Sequence, residues 1–180
     1  EYSSAFVKNN NLVNSAYPLM EQLMSDLGKT IHLAVPNEHR VVYVNTALNP
    51  NSPKLSTEIG KQVPMYCTAL GKAMLASMDT SRRRALLGKM SYKKHTSNTI
   101  TGRDKLEEEL LETRERGFAI DDEEWDVGVR CVAVPIKDHF SQVVAALSTA
   151  APKEKINRSD FESLGSRLKE AAEKISQNTT

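Results

Sequence analysis

The segment Asp121-Asp122-Glu123-Glu124-Trp125 places four carboxylates in five consecutive residues, with Arg130 and Cys131 a few positions on. Like charges this dense beside a strand-like apolar run need satisfaction by water, a cation, backbone N–H groups or the donors of a ligand. A solvated turn following Gly117 accounts for Asp122, Glu123 and Asp126. Glu124 reads as structural, either paired with Arg130 or capping backbone amides. A second chemical feature is the turn from Thr68 to Lys72, which enters a helix. The first N–H groups of a helix have no partner within it and favour an anion. Two readings stand there: Thr68 caps the helix and nothing more, or the capped turn also frames a ligand. Cys67 and Cys131 are nucleophiles only as thiolates beside a base, and the nearest base in sequence is Lys72. By residue type alone a cysteine opening a buried strand is packing. Ser148 and Thr149 close another apolar run, where hydroxyls commonly satisfy a strand end. Met65 and Tyr66 wall a pocket or belong to the core. Trp125 covers a pocket mouth or packs in a subunit interface.

These groups are held by elements whose periodicity is legible. Leu12, Val13, Ala16, Leu19, Met20, Leu23, Met24 and Leu27 recur at helical spacing, and Gly28 stops the helix. Residues 30–35 and 40–46 form a hairpin around the turn composition of 36–39. Residues 47–54 are loop, and 55–59 a third short strand ended by Gly60. A helix begins at Thr68, and a second, capped by Asp79 or Thr80, runs to Leu87. Residues 91–100 are polar loop. Thr101 caps a helix over 103–116 with an apolar stripe of Leu106, Leu110 and Leu111, stopped by Gly117. Two near-continuous apolar strands, 131–136 and 142–149, read as central strands of a sheet. A last helix spans 159–176 on Phe161, Leu164, Leu168, Ala172 and Ile175. Helices at both ends flanking a mostly antiparallel sheet make an α+β domain.

Composition narrows the function. The 24 basic and 23 acidic residues nearly cancel, which argues against a nucleic-acid grip by these residues themselves. The run Arg82-Arg83-Arg84 fits a solvated helix face. No apolar run reaches the roughly 18 residues of a membrane span. The two cysteines suit a reducing cytoplasm. His32, His39, His95 and His139 lack Cys or carboxylate neighbours at ligand spacing, so no metal site and no cofactor are expected. The chain opens Glu-Tyr-Ser-Ser, without an initiator Met, as an excised piece of a longer protein would.

Gly117, Asp121, Glu124, Cys131 and Asp138 together resemble the signature of the C-terminal effector-binding domain of the IclR family of bacterial transcriptional regulators. Lys137 departs, since the residue before that last Asp is usually apolar or aromatic. A second similar motif runs from Pro64 to Ala76, with a small residue, the Gly71-Lys72 pair and Leu75-Ala76. The resemblance implies a GAF-like fold, with residues 1–28 as a connector helix from a preceding DNA-binding domain and 29–180 as the effector-binding domain. It implies a small carboxylate effector held by the backbone amides of Ala69 and Leu70, by Asp121, Cys131 and Ser148. Ala150 stands where a second hydroxyl is often found. A carboxylate ligand facing Asp121 needs a proton or a hydroxyl between the two groups. Further implications are self-association as a homodimer or homotetramer, DNA contact only through the preceding winged helix-turn-helix, no membrane, and repressor-type regulation in the cytoplasm. The rivals are a thiol enzyme using Cys67 or Cys131, and a pure oligomerisation module.

Overall fold

The computed structural model describes residues 2–52, 55 and 57–178, with side chains from Asn10 onward. A long helix α1 (Tyr2–Leu27) leads through Gly28, in the left-handed region at φ 60, into the hairpin β1 (Thr30–Asn37) and β2 (Arg40–Ala47). The hairpin turn is tighter than its composition suggested. Pro36 and Asn37 stay in the strand, and Glu38, at φ 53, makes the reversal with His39. The expected strand over 55–59 is absent at its described positions; Ser56, and positions 53 and 54 of the expected loop, lie outside the described residues. The third strand is instead β3 (Gln62–Pro64), paired antiparallel to β2.

Three helices follow: α2 (Ala69–Ser77), α3 (Thr80–Lys89) and α4 (Arg103–Arg116). Asp79 caps α3, its Oδ1 accepting from Arg82 N at 2.9 Å. The expected Thr101 cap on α4 is not made: Gly102 occupies the cap position with no side-chain bond, and Gly117 closes the helix at φ 81. Leu111 does not join the inner stripe either, being 58% exposed. Next come β4 (Ala119–Asp122), β5 (Val129–Lys137), β6 (Val143–Pro152) and the terminal helix α5 (Phe161–Asn178).

The six strands form one wholly antiparallel sheet in the order β3-β2-β1-β6-β5-β4. The longest strand, β6, lies inside the sheet between β1 and β5, which explains its continuous apolar character. Alternation then sorts the side chains into two cores. Ile31, Leu33, Val132, Val134, Leu147 and Ala151 point to α1 and α5, against Leu12, Ala16, Met20, Phe161, Leu164 and Leu168. The opposite face carries Ala34, Ala119, Ala133 and Ala146 towards α2 and α4. Small residues on that face let α2 approach closely. A Cβ on Gly71 would run into the backbone of Met65, so only glycine fits at this point of the helix. The face with α2 is therefore the one where backbone and side chains of different elements converge.

Candidate functional site

Cross-strand pairing lines up the polar residues of that face. Asp121 on β4 lies opposite Cys131 on β5, and Cys131 opposite Ala150 on β6. Ser148 on β6 lies opposite His32 on β1. Above this row the chain enters α2. Thr68, in extended conformation at φ −122 and ψ 145, caps the helix, its Oγ1 accepting from Gly71 N at 3.3 Å. The amides of Ala69 and Leu70, the first two of the helix, have no partner within it. Between sheet and helix lies a narrow cavity of about 110 Å³. All five residues singled out from the sequence, Ala69, Leu70, Asp121, Cys131 and Ser148, line it, and so does Ala150. A wider groove of about 590 Å³ opens beside β5 between α4 and α5. It holds none of those five residues, and the convergence of helix amides and polar strand residues makes the smaller cavity the candidate site.

The cavity also recruits His32, Tyr43 and Lys61, which the sequence did not single out. His32 was set among scattered histidines that are structural or solvent-facing. It is buried and structural at once, with Nδ1 3.2 Å from Thr46 Oγ1 and its ring edge-on to Tyr43. Burial holds it neutral, lowering its pKa from 6.5 to about 4. Its signal was periodicity, since positions 30, 32 and 34 share the α2 face of β1. Met65 and Tyr66 are core and do not line the cavity; the Tyr66 hydroxyl donates to Lys93 O at 2.6 Å. Trp125, half-buried and edge-on to His95 with ring centroids 4.4 Å apart, is among the residues that line the cavity.

The acidic turn is more tightly partnered than a solvated run. Asp122 accepts from Arg130 Nε at 2.7 Å and Arg158 Nε at 2.8 Å, which hold its carboxyl below the usual range. Glu123 adopts φ 59 and accepts from Gly128 N at 2.8 Å. Asp126 alone of the three is exposed. Glu124 pairs not with Arg130 but with Lys72, at 2.6 Å, and Lys72 reaches Glu109 at 3.4 Å. Glu109 in turn holds Arg116 at 2.7 Å. Lys72 is 1% exposed, so this pair is buried. No sequence spacing could reveal it, because the partners are 52 residues apart.

Asp121 is 5% exposed and caps the turn it begins, its Oδ1 accepting from Glu124 N at 2.7 Å. Burial first, then the Glu124 charge, raises its pKa from 3.8 to about 7. The same environment acts on the thiols. Burial and Asp121 push Cys67 up to about 12 and Cys131 well above its ordinary value. Lys72, the only base the sequence offered Cys67, is engaged by two glutamates. Both shifts favour the thiol over the thiolate, the opposite of what a nucleophilic cysteine needs.

Comparison with known proteins identifies the family and the fold. Over residues 4–177 the chain matches the family described as bacterial transcriptional regulator IclR C-terminal. It is 34% identical over 176 residues, 98% of its length, to the HTH-type transcriptional regulator KdgR of Escherichia coli, of which it covers 67%. The crystal structure of the C-terminal domain of that regulator superposes with a TM-score of 0.85, covering 94% of this chain and 98% of that one. The IclR of Thermotoga maritima, 32% identical, superposes with a TM-score of 0.91 over 99% of this chain and 72% of that one. The α+β fold is thus the GAF-like fold of IclR C-terminal domains. The chain spans about two thirds of the length of the curated relatives it matches. It belongs to the IclR family of bacterial transcriptional regulators, as a C-terminal domain of that family.

Proposed function

We propose that this domain senses a small carboxylate metabolite and passes its occupancy to a DNA-binding domain that precedes it. The observation that carries this reading is the convergence of the Ala69 and Leu70 amides, which have no partner within their helix, with Asp121, Cys131 and Ser148 on one narrow cavity. A helix N-terminus supplies the anion subsite, and neutral polar groups of the sheet face the rest of the ligand. Residues 29–180 are the effector domain and residues 1–28 the connector. Leu12, Ala16, Met20 and Leu23 of α1 are buried against the sheet and α5, so a shift of the sheet on ligand binding reaches α1 through packed side chains. Operator affinity then changes by linkage, typically by about 1–3 kcal/mol. Relatives named as repressors, the acetate operon repressor of Salmonella typhimurium among them, suggest repression as the output. Self-association into a dimer or tetramer and a cytoplasmic setting complete the proposal.

Thermal unfolding against matched carboxylates and their neutral amides tests it. A ligand at 100 times its dissociation constant adds about 2.7 kcal/mol, which is roughly 5–10 °C for a domain of this size. Ala69→Pro then asks whether the helix amide is the anchor. The Thr68 conformation suits a residue before proline, and proline is accepted at the first helical position. The helix is kept and one donor is lost, a penalty of about 1.5–3 kcal/mol for a bond to a charged group, or roughly tenfold to hundredfold in affinity. Equal shifts with acids and amides, or binding indifferent to Ala69→Pro, sink the proposal. A domain that binds no acid yet self-associates points to an oligomerisation module instead.

A further inference from the structure

The positive charge of this chain is concentrated in one stretch. Residues 80–103 hold seven Lys and Arg and no Asp or Glu, while the rest of the chain holds 17 basic and 23 acidic residues. Helix α3 begins this stretch, and Leu87 is its one buried residue. Arg82, Arg84, Lys89, Lys93 and Lys94 are exposed. Of the seven cations, Arg103 alone has an ion pair among the described residues, with Glu107 at 3.0 Å; Arg83 donates to Met78 O at 3.3 Å. The next helix presents the opposite sign. Asp104, Glu108, Leu111, Glu112 and Glu115 recur on α4 at three- and four-residue spacing, which makes one stripe, and all five are exposed. Leu111, at the centre of the stripe, is 58% exposed. Lys105 and Arg114 stand at its margins. The inner sides of the two helices share one core through Leu87, Leu106 and Leu110. Tyr92, whose hydroxyl donates to Leu87 O at 3.0 Å, lies within electrostatic reach of Arg103 and Glu107, so the end of α3 adjoins the start of α4. Both helices therefore turn their charged sides outward on the same side of the sheet.

We infer that α3 and α4 together form a docking surface for a second copy of this chain, with α3 of each copy against α4 of the other. Neighbouring stripes of opposite sign are matched by the same surface turned through a two-fold rotation. Each of the two equivalent contacts sets Arg82, Arg84 and Lys89 against Glu108, Glu112 and Glu115. Leu111 is the apolar residue within the acidic stripe, and Ala85 and Gly88 on the exposed side of α3 leave room for it. One exposed ion pair contributes little, so the contact depends on several pairs, made twice, and on Leu111 of both copies. Nucleic acid fits the surface less well, because phosphates laid along α3 run against the carboxylates of the adjoining α4. The inference goes beyond the sensing reading, which assigns no surface to self-association. It is also independent of that reading, since none of these residues lines the cavity.

Sedimentation equilibrium of this domain at about 0.1 M and about 1 M NaCl tests the inference, because the screening length falls from about 10 Å to about 3 Å between them. The domain should dimerise at the lower salt and at least about tenfold more weakly at the higher. Two sets of charge reversals then locate the contact. One is Arg82→Glu with Arg84→Glu and Lys89→Glu on α3; the other is Glu108→Lys with Glu112→Lys and Glu115→Lys on α4. Each variant alone should be monomeric at the lower salt. An equimolar mixture of the two should dimerise again, because each now meets stripes of the opposite sign on the other, and that recovery shows that both fold. A parent that stays monomeric at the lower salt overturns the inference. So does a dimer indifferent to salt and to both reversals, or a mixture that stays monomeric. Loss of low-salt binding to duplex DNA in the α3 variant, with its self-association unchanged, overturns it in favour of a nucleic-acid surface. Thermal shifts with carboxylates test the sensing reading separately and should be the same in both variants.

Discussion

His32 and Asp121 line one cavity and should pull the stability of the domain in opposite directions with pH. Asp121 is raised from 3.8 to about 7. Between those values the native state holds a proton that the unfolded chain has released. Its contribution is fully present below pH 3.8 and is lost as pH rises to about 7, at up to about 1.4 kcal/mol per pH unit. His32 is lowered from 6.5 to about 4. There the unfolded chain holds the proton, so its contribution is present above pH 6.5 and is lost as pH falls to about 4. From about pH 4 to 6.5 the two slopes nearly cancel in the native sequence. Asp121→Asn removes one of them, and its stability relative to the parent should fall by up to about 2.7 kcal/mol between pH 6.5 and 4.5. His32→Gln removes the other, and its relative stability should rise over the same interval by a similar amount. Urea unfolding of the three proteins at several pH values measures this. Asp122, Glu123 and Glu109, whose carboxyls are held low by their partners, give an acid loss common to all three, so the differences are what count. Parallel stability curves would refute the electrostatic account of the cavity.

Other substitutions probe separate parts of the same structure. Lys72→Met should destabilise the domain by about 3–5 kcal/mol, because it strands Glu124 as a buried charge; Lys72→Met with Glu124→Gln should recover most of the loss in chemical denaturation. Gly71→Ala should cost at least about 2–3 kcal/mol, since the obstacle at its Cβ is Met65 backbone rather than a movable side chain, and a melting temperature within a degree of the parent would count against the close approach of α2. Cys131→Ser should keep most ligand binding, and the native thiols should react with iodoacetamide at pH 8 more slowly than free cysteine, because burial favours the thiol over the thiolate in both. Fast alkylation of either would reopen a thiol chemistry.

How much of this was legible in the sequence follows from the range of the interactions involved. Local signals read well: the apolar spacing of α1 and α5, the Thr68 and Asp79 caps, and Gly117 at the end of α4 each act within a few residues. The strand β4 was missed because it spans four residues with two aspartates at its end, which reads as turn until β5 is there to pair with it. β3 was misplaced by several residues because it is a three-residue edge strand, fixed by pairing with β2 rather than by pattern. The five candidate residues were chosen by family likeness, and the fold brings all of them to one cavity. His32 and Tyr43 escaped because a neutral histidine and a tyrosine on a strand look like ordinary core. The Glu124–Arg130 pairing was misjudged for a more general reason. Six residues of separation suggest a local bond, yet Asp122 lies directly opposite Arg130 across β4 and β5 and takes that partner first.

That displacement explains how the acidic turn is tied to the helix that borders the cavity. Once Asp122 has Arg130 and Arg158, and Glu123 has Gly128 N–H and Lys153, the cation left for Glu124 is the buried Lys72 of α2. The pairing ties the turn to the helix whose first amides open onto the cavity. Lys72 also reaches Glu109, and through it Arg116, whose Nε donates to Phe118 O at 2.8 Å where the chain enters β4. The loop of contacts thus returns to the strand that carries Asp121. A negative ligand or a proton at the cavity changes the field on Asp121 and Glu124, which share the Glu124 N–H bond. In a low-dielectric interior such a change is felt by every member of the chain. Lys72, three residues beyond Ala69 on the same helix, is therefore placed to convert a change of charge in the cavity into a force between α2, α4 and the sheet edge.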